Sequence, residues 1–303
     1  MTPRLGDVHP AAPPARVRVD QLLVARGLSA TRAEALRLVM AGRVLADGTP
    51  VDKAGRLVRP AAALRLTAVS PYVGRGGEKL HAALTTFRVT PAGRVCLDVG
   101  ASTGGFTDCL LQLGARRVYA VDVGRHQLHP RLRSDPRVTV VEGVNARYLE
   151  SSRFDEPPSV AVVDVSFISL TKVLPAVARC LHPAGDGEGP REIVALVKPQ
   201  FEVGRGRVGK GGVVREPGRH REVLLGLAAF GNAIGLVPVG LAASPLTGAK
   251  GNREFFLHLV VGGAPRAADD LVAAVDGAVA GLGTPPSPRW VGRGVGGVEG
   301  GSQ

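Results

Sequence analysis

Leu97-Asp98-Val99-Gly100-Ala101-Ser102-Thr103-Gly104-Gly105-Phe106 decides how this chain is read. It closes an apolar run from Arg94 to Val99 and sits where a first strand should turn into a helix. Glycines there let a ligand approach the backbone at the carboxyl end of a sheet, the ligand crevice of open α/β folds. A dinucleotide pyrophosphate would require Gly-x-Gly-x-x-Gly, and residue 102 is Ser. What remains is Asp-x-Gly-x-x-x-Gly-Gly, with the Asp98 carboxylate at a strand end.

A carboxylate in that place suits a cofactor that carries an ammonium group rather than phosphates. Asp122 closes the next apolar run, 24 residues after Asp98, where an acidic side chain can bind both ribose hydroxyls of an adenosine. Taken singly, either aspartate is an ordinary turn or cap residue. In this order and spacing they point to S-adenosyl-L-methionine, with Asp98, Gly100, Ser102, Thr103, Gly104, Gly105, Phe106 and Asp122 as its binding set. Glu142 and Asn145, after the third run, either meet the adenine edge or simply form a turn.

Apolar runs recur at Arg94–Val99, Val118–Val123, Val138–Val141, Val160–Val165, Ile193–Val197, Val237–Leu241 and Phe255–Val261, separated by helix-length segments. Such alternation predicts an α/β fold of the Rossmann-like kind, a mostly parallel, seven-stranded sheet with helices on both faces. Four polar residues stand where a sheet protein does not ordinarily spend them. Asp164 ends Val160-Ala161-Val162-Val163, Lys198 ends Ile193-Val194-Ala195-Leu196-Val197, Glu254 opens the last run, and Lys79 follows Gly76-Gly77-Glu78. Parallel strands end on one edge, so Asp164 and Lys198 should face the same crevice as Asp98. A lysine closing a central strand is costly without a carboxylate beside it, and a structural ion pair at the sheet rim is the plain alternative.

The chain has 303 residues, 38 Lys plus Arg against 26 Asp plus Glu, and a formal net charge of +12, which favours a polyanionic partner. Three cysteines with no Cys-x-x-Cys pair and no clustered His argue against disulfides or a structural zinc and fit a reducing cytoplasm. Val223 to Ala249 holds no charged residue, but its glycines and prolines predict a buried helix, a turn and a central strand rather than a membrane span. The opening residues 1–15 are proline-bearing, without the apolar run of a secretory signal, and read as a disordered lead-in.

Residues 16–70 read as a small α+β module. Val19 to Arg26 is helical and stops at Gly27. Thr31-Arg32-Ala33-Glu34 has capping-box spacing before a second helix that stops at Gly42, and Asp47-Gly48 marks a hairpin. Arg26, Arg32, Arg37 and Arg43 decorate the unit, as an RNA-binding face or merely a solvated one. Residues 71–77, with Gly74-Arg75-Gly76-Gly77, read as a flexible basic joint; 78–262 is the α/β domain, and 263–303 a weak helix and a disordered Gly/Pro-rich tail. Between Glu202 and Val214 the glycines, with Arg205, Arg207 and Lys210, suggest a loop that orders on RNA, or a plain surface linker.

The stretch from Asp20 to Gly48 resembles the S-four-type RNA-binding module of ribosomal proteins, with Arg32, Gly42, Val44 and Gly48 in the module's places. Arg-Gly-Gly-Glu-Lys-Leu (75–80), the 97–106 stretch, Val163-Asp164-Val165-Ser166-Phe167, Leu196-Val197-Lys198-Pro199 and Gly251-Asn252-Arg253-Glu254-Phe255 together resemble the TlyA family of ribosomal RNA 2′-O-methyltransferases, within the FtsJ-like group. The resemblance covers about residues 16 to 262. It implies S-adenosylmethionine-dependent methylation of a cytidine 2′-hydroxyl in 16S and, in some members, 23S rRNA. It also implies a Lys79-Asp164-Lys198-Glu254 catalytic tetrad and ribosomal subunits as partners; Arg75, Arg205, Arg207 and Lys210 in the basic Gly-rich segments are the candidate RNA contacts, and neither a metal nor stable membrane association is expected. Rival readings are a membrane-active protein, since the family also carries the label haemolysin, and a non-catalytic ribosome-assembly factor.

Overall fold

The computed structural model describes residues 16–281 except 41, 52, 67–69, 182–188, 205 and 210. The expected lead-in, the Gly/Pro-rich tail from residue 282, and the positions Arg205 and Lys210 therefore lie outside the described residues. The chain divides between Val69 and Ser70 into two compact units.

The first unit comprises β1 (Val17–Arg18), α1 (Val19–Ala25), α2 (Arg32–Met40), β2 (Val44–Ala46), β3 (Thr49–Pro50), β4 (Leu57–Val58) and β5 (Leu64–Leu66). β2 pairs with β3 and β5, and β1 with β4, all antiparallel. Asp47 and Gly48 both have positive φ (49° and 74°), the two-residue turn whose twist matches a hairpin. Thr31 Oγ1 accepts the Glu34 N–H at 3.1 Å as a capping box requires, but Glu34 reaches back to the N–H of Ala30 (2.7 Å) rather than of Thr31. Val19, Leu23, Ala35, Val39 and Val44 form the core.

The second unit comprises α3 (Arg75–Phe87), β6 (Val95–Val99), α4 (Gly105–Gln112), β7 (Arg117–Asp122), α5 (Pro130–Arg133), β8 (Val138–Glu142), β9 (Val160–Val163), α6 (Leu174–Cys180), β10 (Glu192–Val197), α7 (Pro199–Glu202), α8 (Pro217–Ala233), β11 (Leu236–Ala243), β12 (Phe255–Val261) and α9 (Ala268–Ala280). The strands form one seven-stranded sheet in the order β11-β12-β10-β9-β6-β7-β8, with β12 antiparallel to both neighbours and the others parallel. Burial on both faces is why these strands read as unbroken apolar runs instead of alternating. α3 and α4 cover one face around Cys96, Val162 and Leu196; α6, α8 and α9 cover the other around Leu97, Val163 and Ala195.

Two expectations need correction. The uncharged stretch does fold into a helix and a strand, α8 and β11, but β11 is the outermost strand rather than a central one. It is nevertheless buried, because α8 and α9 pack on it. The 71–77 joint is not a flexible linker throughout: Arg75, Gly76 and Gly77 form the first turn of α3. Gly77 is required there by contact, since a Cβ would come within 2.3 Å of the Tyr72 ring.

At the amino end of the parallel strands a buried charge network replaces apolar packing. Arg94 Nη1 lies 2.6 Å from Glu192 Oε2, and Glu192 Oε1 lies 3.1 Å from His258 Nε2. Arg94 also donates to Ser159 Oγ at 3.0 Å, and the His258 ring stacks on Phe87. Burial pushes the Glu192 carboxyl up, but His258 and Arg94 outweigh it and hold the group below its ordinary range. Removing one member strands the others: Glu192→Ala is expected to lose about 3–5 kcal/mol in urea unfolding, whereas breaking an exposed pair such as Arg221–Asp276 should leave the unfolding midpoint nearly unchanged.

Candidate active site

Strand order reverses at β6, which lies between β7 and β9, and the carboxyl ends of these three parallel strands enclose the site. The loop after β6 is held by its backbone. The N–H groups of Gly100 and Ala101 donate to Val121 O (2.8 and 3.1 Å), and Ser102, at φ 49°, donates its N–H to Asp122 Oδ2 at 2.8 Å. Gly100 has φ +92° and no room for a side chain, because a Cβ would stand 2.2 Å from the Asp164 carbonyl oxygen. Gly105 opens α4 against the first turn of α3, where a Cβ would reach 3.1 Å from Gly77 N. Phe106 is buried and packs near Phe256.

A cavity of about 590 Å³ opens between the strand ends, walled by Val99, Gly100, Ser102, Asp122, Val123, Asn145, Arg147, Asp164, Ser166 and Phe167 among others. A recess of about 140 Å³ adjoins it, sharing Gly100, Ser102 and Asp164 and lined further by Gly74, exposed Arg75, Gly76, Thr103 and Phe106. Asp122 accepts two backbone N–H groups, from Ser102 and from Gly124 (2.6 Å), which leaves one lone pair on each oxygen for a ligand. Asn145 lines the cavity while its side chain caps a short 3₁₀ turn, its Oδ1 accepting the Arg147 N–H at 3.1 Å.

Asp98 stands elsewhere than its motif suggests. It is fully buried behind the glycine loop and is not part of either cavity wall. Its Oδ2 accepts from Thr107 Oγ1 at 2.6 Å, tying β6 to α4, and its Oδ1 has no hydrogen-bond partner. Burial raises its carboxyl to about 7, opposed by the Thr107 hydrogen bond and helped by the nearby carboxylates of Asp164 and Asp122. Glu142 likewise lies off the cavity wall, ion-paired with Arg133.

The four singled-out polar residues form two ion pairs at the carboxyl ends of β9 and β10 and the amino end of β12. Lys198 Nζ lies 2.6 Å from Asp164 Oδ1 and donates to Ser166 Oγ at 2.9 Å. Lys79, from α3, lies 2.6 Å from Glu254 Oε2 with both side chains largely buried. The register Val197↔Phe255 puts Lys198 and Glu254 side by side on neighbouring strands. Gly248 makes room for the second pair, since a Cβ there would meet Glu254 Oε1 at 1.8 Å.

Sequence reasoning passed over Ser166, Arg147 and Phe167. Phe167 is 90% exposed, has φ +63°, and packs at a 46° tilt against Phe201, ring centroids 4.9 Å apart, beside the cavity. A large aromatic directly after the Asp164 strand was the available signal.

Several expected RNA contacts are committed elsewhere. Arg26 donates to the carbonyls of Ala62 and Pro60, Arg32 pairs with Asp20 at 2.9 Å, and Arg207 makes a two-pronged pair with Glu222 (2.6 Å each). The Gly-rich loop is also less free than expected at its far end. Buried Asn252 accepts the Val214 N–H and donates to Gly212 O, fixing that end to the β11–β12 connection.

The FtsJ-like methyltransferase family model matches residues 72–260, and the S4 domain model matches residues 17–63. The chain belongs to the FtsJ-like methyltransferase family. It is 47% identical over 246 residues to the 16S/23S rRNA (cytidine-2′-O)-methyltransferase TlyA of Mycobacterium tuberculosis, covering 80% of this chain and 90% of that protein. It is 47% identical over 245 residues to a protein of Bacillus subtilis provisionally named as the rRNA methyltransferase YqxC, covering 80% of this chain and 85% of that protein. A solved structure from Streptococcus thermophilus that carries a provisional haemolysin label superposes with a TM-score of 0.67 at 43% identity, over 87% of this chain and 96% of that one. Among the described residues of this methyltransferase, no helix is long and apolar enough to cross a membrane.

The state of Asp98 can be checked through pH. Its folded-state value is raised above that of an unfolded aspartate, so the native state holds the proton more tightly. The associated stability is full below about pH 4 and is lost as pH rises through about 7. Asp98→Asn, which mimics the protonated form, should match the wild type near pH 4 and exceed it by up to about 4 kcal/mol at pH 8 in chemical denaturation without ligand. Equal stability of the two at both pH values would contradict the buried, half-partnered carboxyl.

Proposed function

We propose that this methyltransferase moves a methyl group from S-adenosyl-L-methionine to the 2′-hydroxyl of a cytidine in 16S, and also 23S, ribosomal RNA, acting in the cytoplasm on rRNA or ribosomal subunits. The observation that carries the reading is the Lys198–Asp164 pair at the rim of a cavity whose opposite wall holds Asp122. The relatives named for cytidine 2′-O-methylation supply the target class.

The residues present fit the cofactor on two counts. An orphaned, buried carboxylate oxygen on Asp98 beneath the glycine loop is complementary to a cation. Asp122, with its orientation fixed by two backbone N–H groups, offers acceptors for ribose hydroxyls. Gly100, Ser102, Thr103, Gly104 and Gly105 would bring the backbone close, with Asn145 near the base. When bound, S-adenosylmethionine supplies an electrophilic methyl group on sulfur.

The chain's own residues then do the remaining work. Lys198 is held in place by Asp164 and Ser166, and its ammonium orients the 2′-hydroxyl or takes its proton. Lys79 and Glu254, an ion pair next to Lys198 on the adjoining strand and outside both cavity walls, would position the ribose. Phe167 presents an open aromatic face on which an unstacked base can lie. The N-terminal unit adds affinity through phosphate contacts, with Arg37, exposed on α2, among its contributing charges.

Lys198→Ala is expected to lower single-turnover methyl transfer from labelled cofactor to ribosomal subunits by about 100-fold or more, with RNA and cofactor affinities within a few-fold of wild type. Lys198→Arg separates the two roles: an arginine cannot serve as a base, so partial rescue supports orientation and no rescue supports proton transfer. Near-normal rates for both Lys198→Ala and Asp164→Asn would remove this site from the reaction. For the N-terminal unit, Arg37→Ala should weaken rRNA binding and reduce the slope of affinity against salt by about one charge, leaving the rate at saturating RNA unchanged.

A further inference from the structure

Glu202 is not part of the cavity walls, yet its carboxylate joins the two loops that carry Asp164 and Lys198. Oε2 accepts the Ser169 hydroxyl at 2.6 Å, and Oε1 accepts the Leu170 N–H at 2.8 Å. These donors open a 3₁₀ turn, Leu170–Lys172, whose first N–H groups have no partner within the turn. The ring of the adjoining Phe201 packs at a tilt against Phe167. At the other end of the same two loops, Lys198 spans the gap to Asp164 and Ser166.

The two loops are therefore clamped at both ends, by the reacting pair at one and by Glu202 at the other. Burial raises the Glu202 carboxyl above its ordinary range, opposed by Ser169 and Leu170, so keeping an acid here carries a cost. Fold stability alone would be served by an apolar residue capped with water. The need served instead is a fixed separation between loops.

We propose that Glu202 is a positioning residue for methyl transfer: it fixes the Asp164–Phe167 loop against the loop of Lys198, and thereby fixes where the Lys198 ammonium and the Phe167 ring stand. The inference rests on the assignment of Lys198 to the 2′-hydroxyl.

The test uses the full chain as wild type, Glu202→Ala, Glu202→Gln and Ser169→Ala. Single-turnover methyl transfer to ribosomal subunits is measured at saturating cofactor and RNA, with S-adenosylmethionine affinity by calorimetry and thermal unfolding in parallel. Glu202→Ala should slow transfer about 10- to 100-fold, the scale of a displacement near 1 Å, with cofactor affinity within about 2-fold. Glu202→Gln should recover to within about 3-fold, because the amide oxygen still accepts from Leu170 and the amide nitrogen can donate to Ser169 Oγ. An unchanged rate in Glu202→Ala overturns the proposal, as does a rate loss matched by an equal loss of cofactor affinity. A folded Glu202→Gln as slow as the alanine variant overturns it too. Should Glu202→Ala fail to fold, Ser169→Ala carries the test, with a several-fold loss expected and no loss overturning it. A wild-type chain inactive on every rRNA overturns the substrate assignment first, and this proposal with it.

Discussion

The contact between Gly100 and the carbonyl of Asp164 governs the architecture of the site. With a Cβ excluded at 2.2 Å, the glycine loop can lie directly on the end of the neighbouring strand. That closeness places Asp122, held through Ser102, and Asp164, the partner of Lys198, on the wall of a single cavity. Any larger residue would push the loop off β9 and separate a binding wall from a reacting wall. The parallel β6–β9 pairing, from Cys96↔Val160 to Val99↔Val163, supplies the rigid base against which this contact is made.

Around it, polar groups are distributed by a consistent rule. Where a charge is buried near the reaction, it is either paired across loops, as Lys79 with Glu254 and Lys198 with Asp164, or left partly unsatisfied, as Asp98. At the opposite end of the sheet, Arg94, Glu192 and His258 satisfy one another. Satisfied networks specify the fold, whereas the unsatisfied Asp98 oxygen beneath the glycine loop carries a desolvation cost that nothing else in the described residues offsets.

Much of this was legible in the chain. All seven strands announced themselves because burial on both faces makes them apolar throughout, and Asp164, Lys198 and Glu254 stood out by bounding those runs. Strand order was not legible, since nothing local in Leu236–Ala243 distinguishes an edge strand shielded by α8 and α9 from a central one. The 74–77 glycines looked like flexibility because the sequence does not display Tyr72 and Gly105 packed against them. Asp98 was correctly associated with the glycine loop, but its side chain turned inward to Thr107. Arginines were the least legible: Arg26, Arg32 and Arg207 spend their charge on internal partners that lie far along the chain or on another element.

The antiparallel course of β12 has a further consequence for when the enzyme becomes complete. Because the strand runs against its neighbours, its beginning rather than its end meets the catalytic edge, and Glu254 reaches Lys79 across 175 positions of sequence. During synthesis, β6, β7 and β8 and the glycine loop can form while the chain is still growing, but Lys79 has no counter-ion until the last strand emerges. A nascent or C-terminally shortened polypeptide would thus hold an incomplete sheet and an uncompensated buried cation. Pairing of Lys79 with Glu254 in this way waits on the last strand of the sheet.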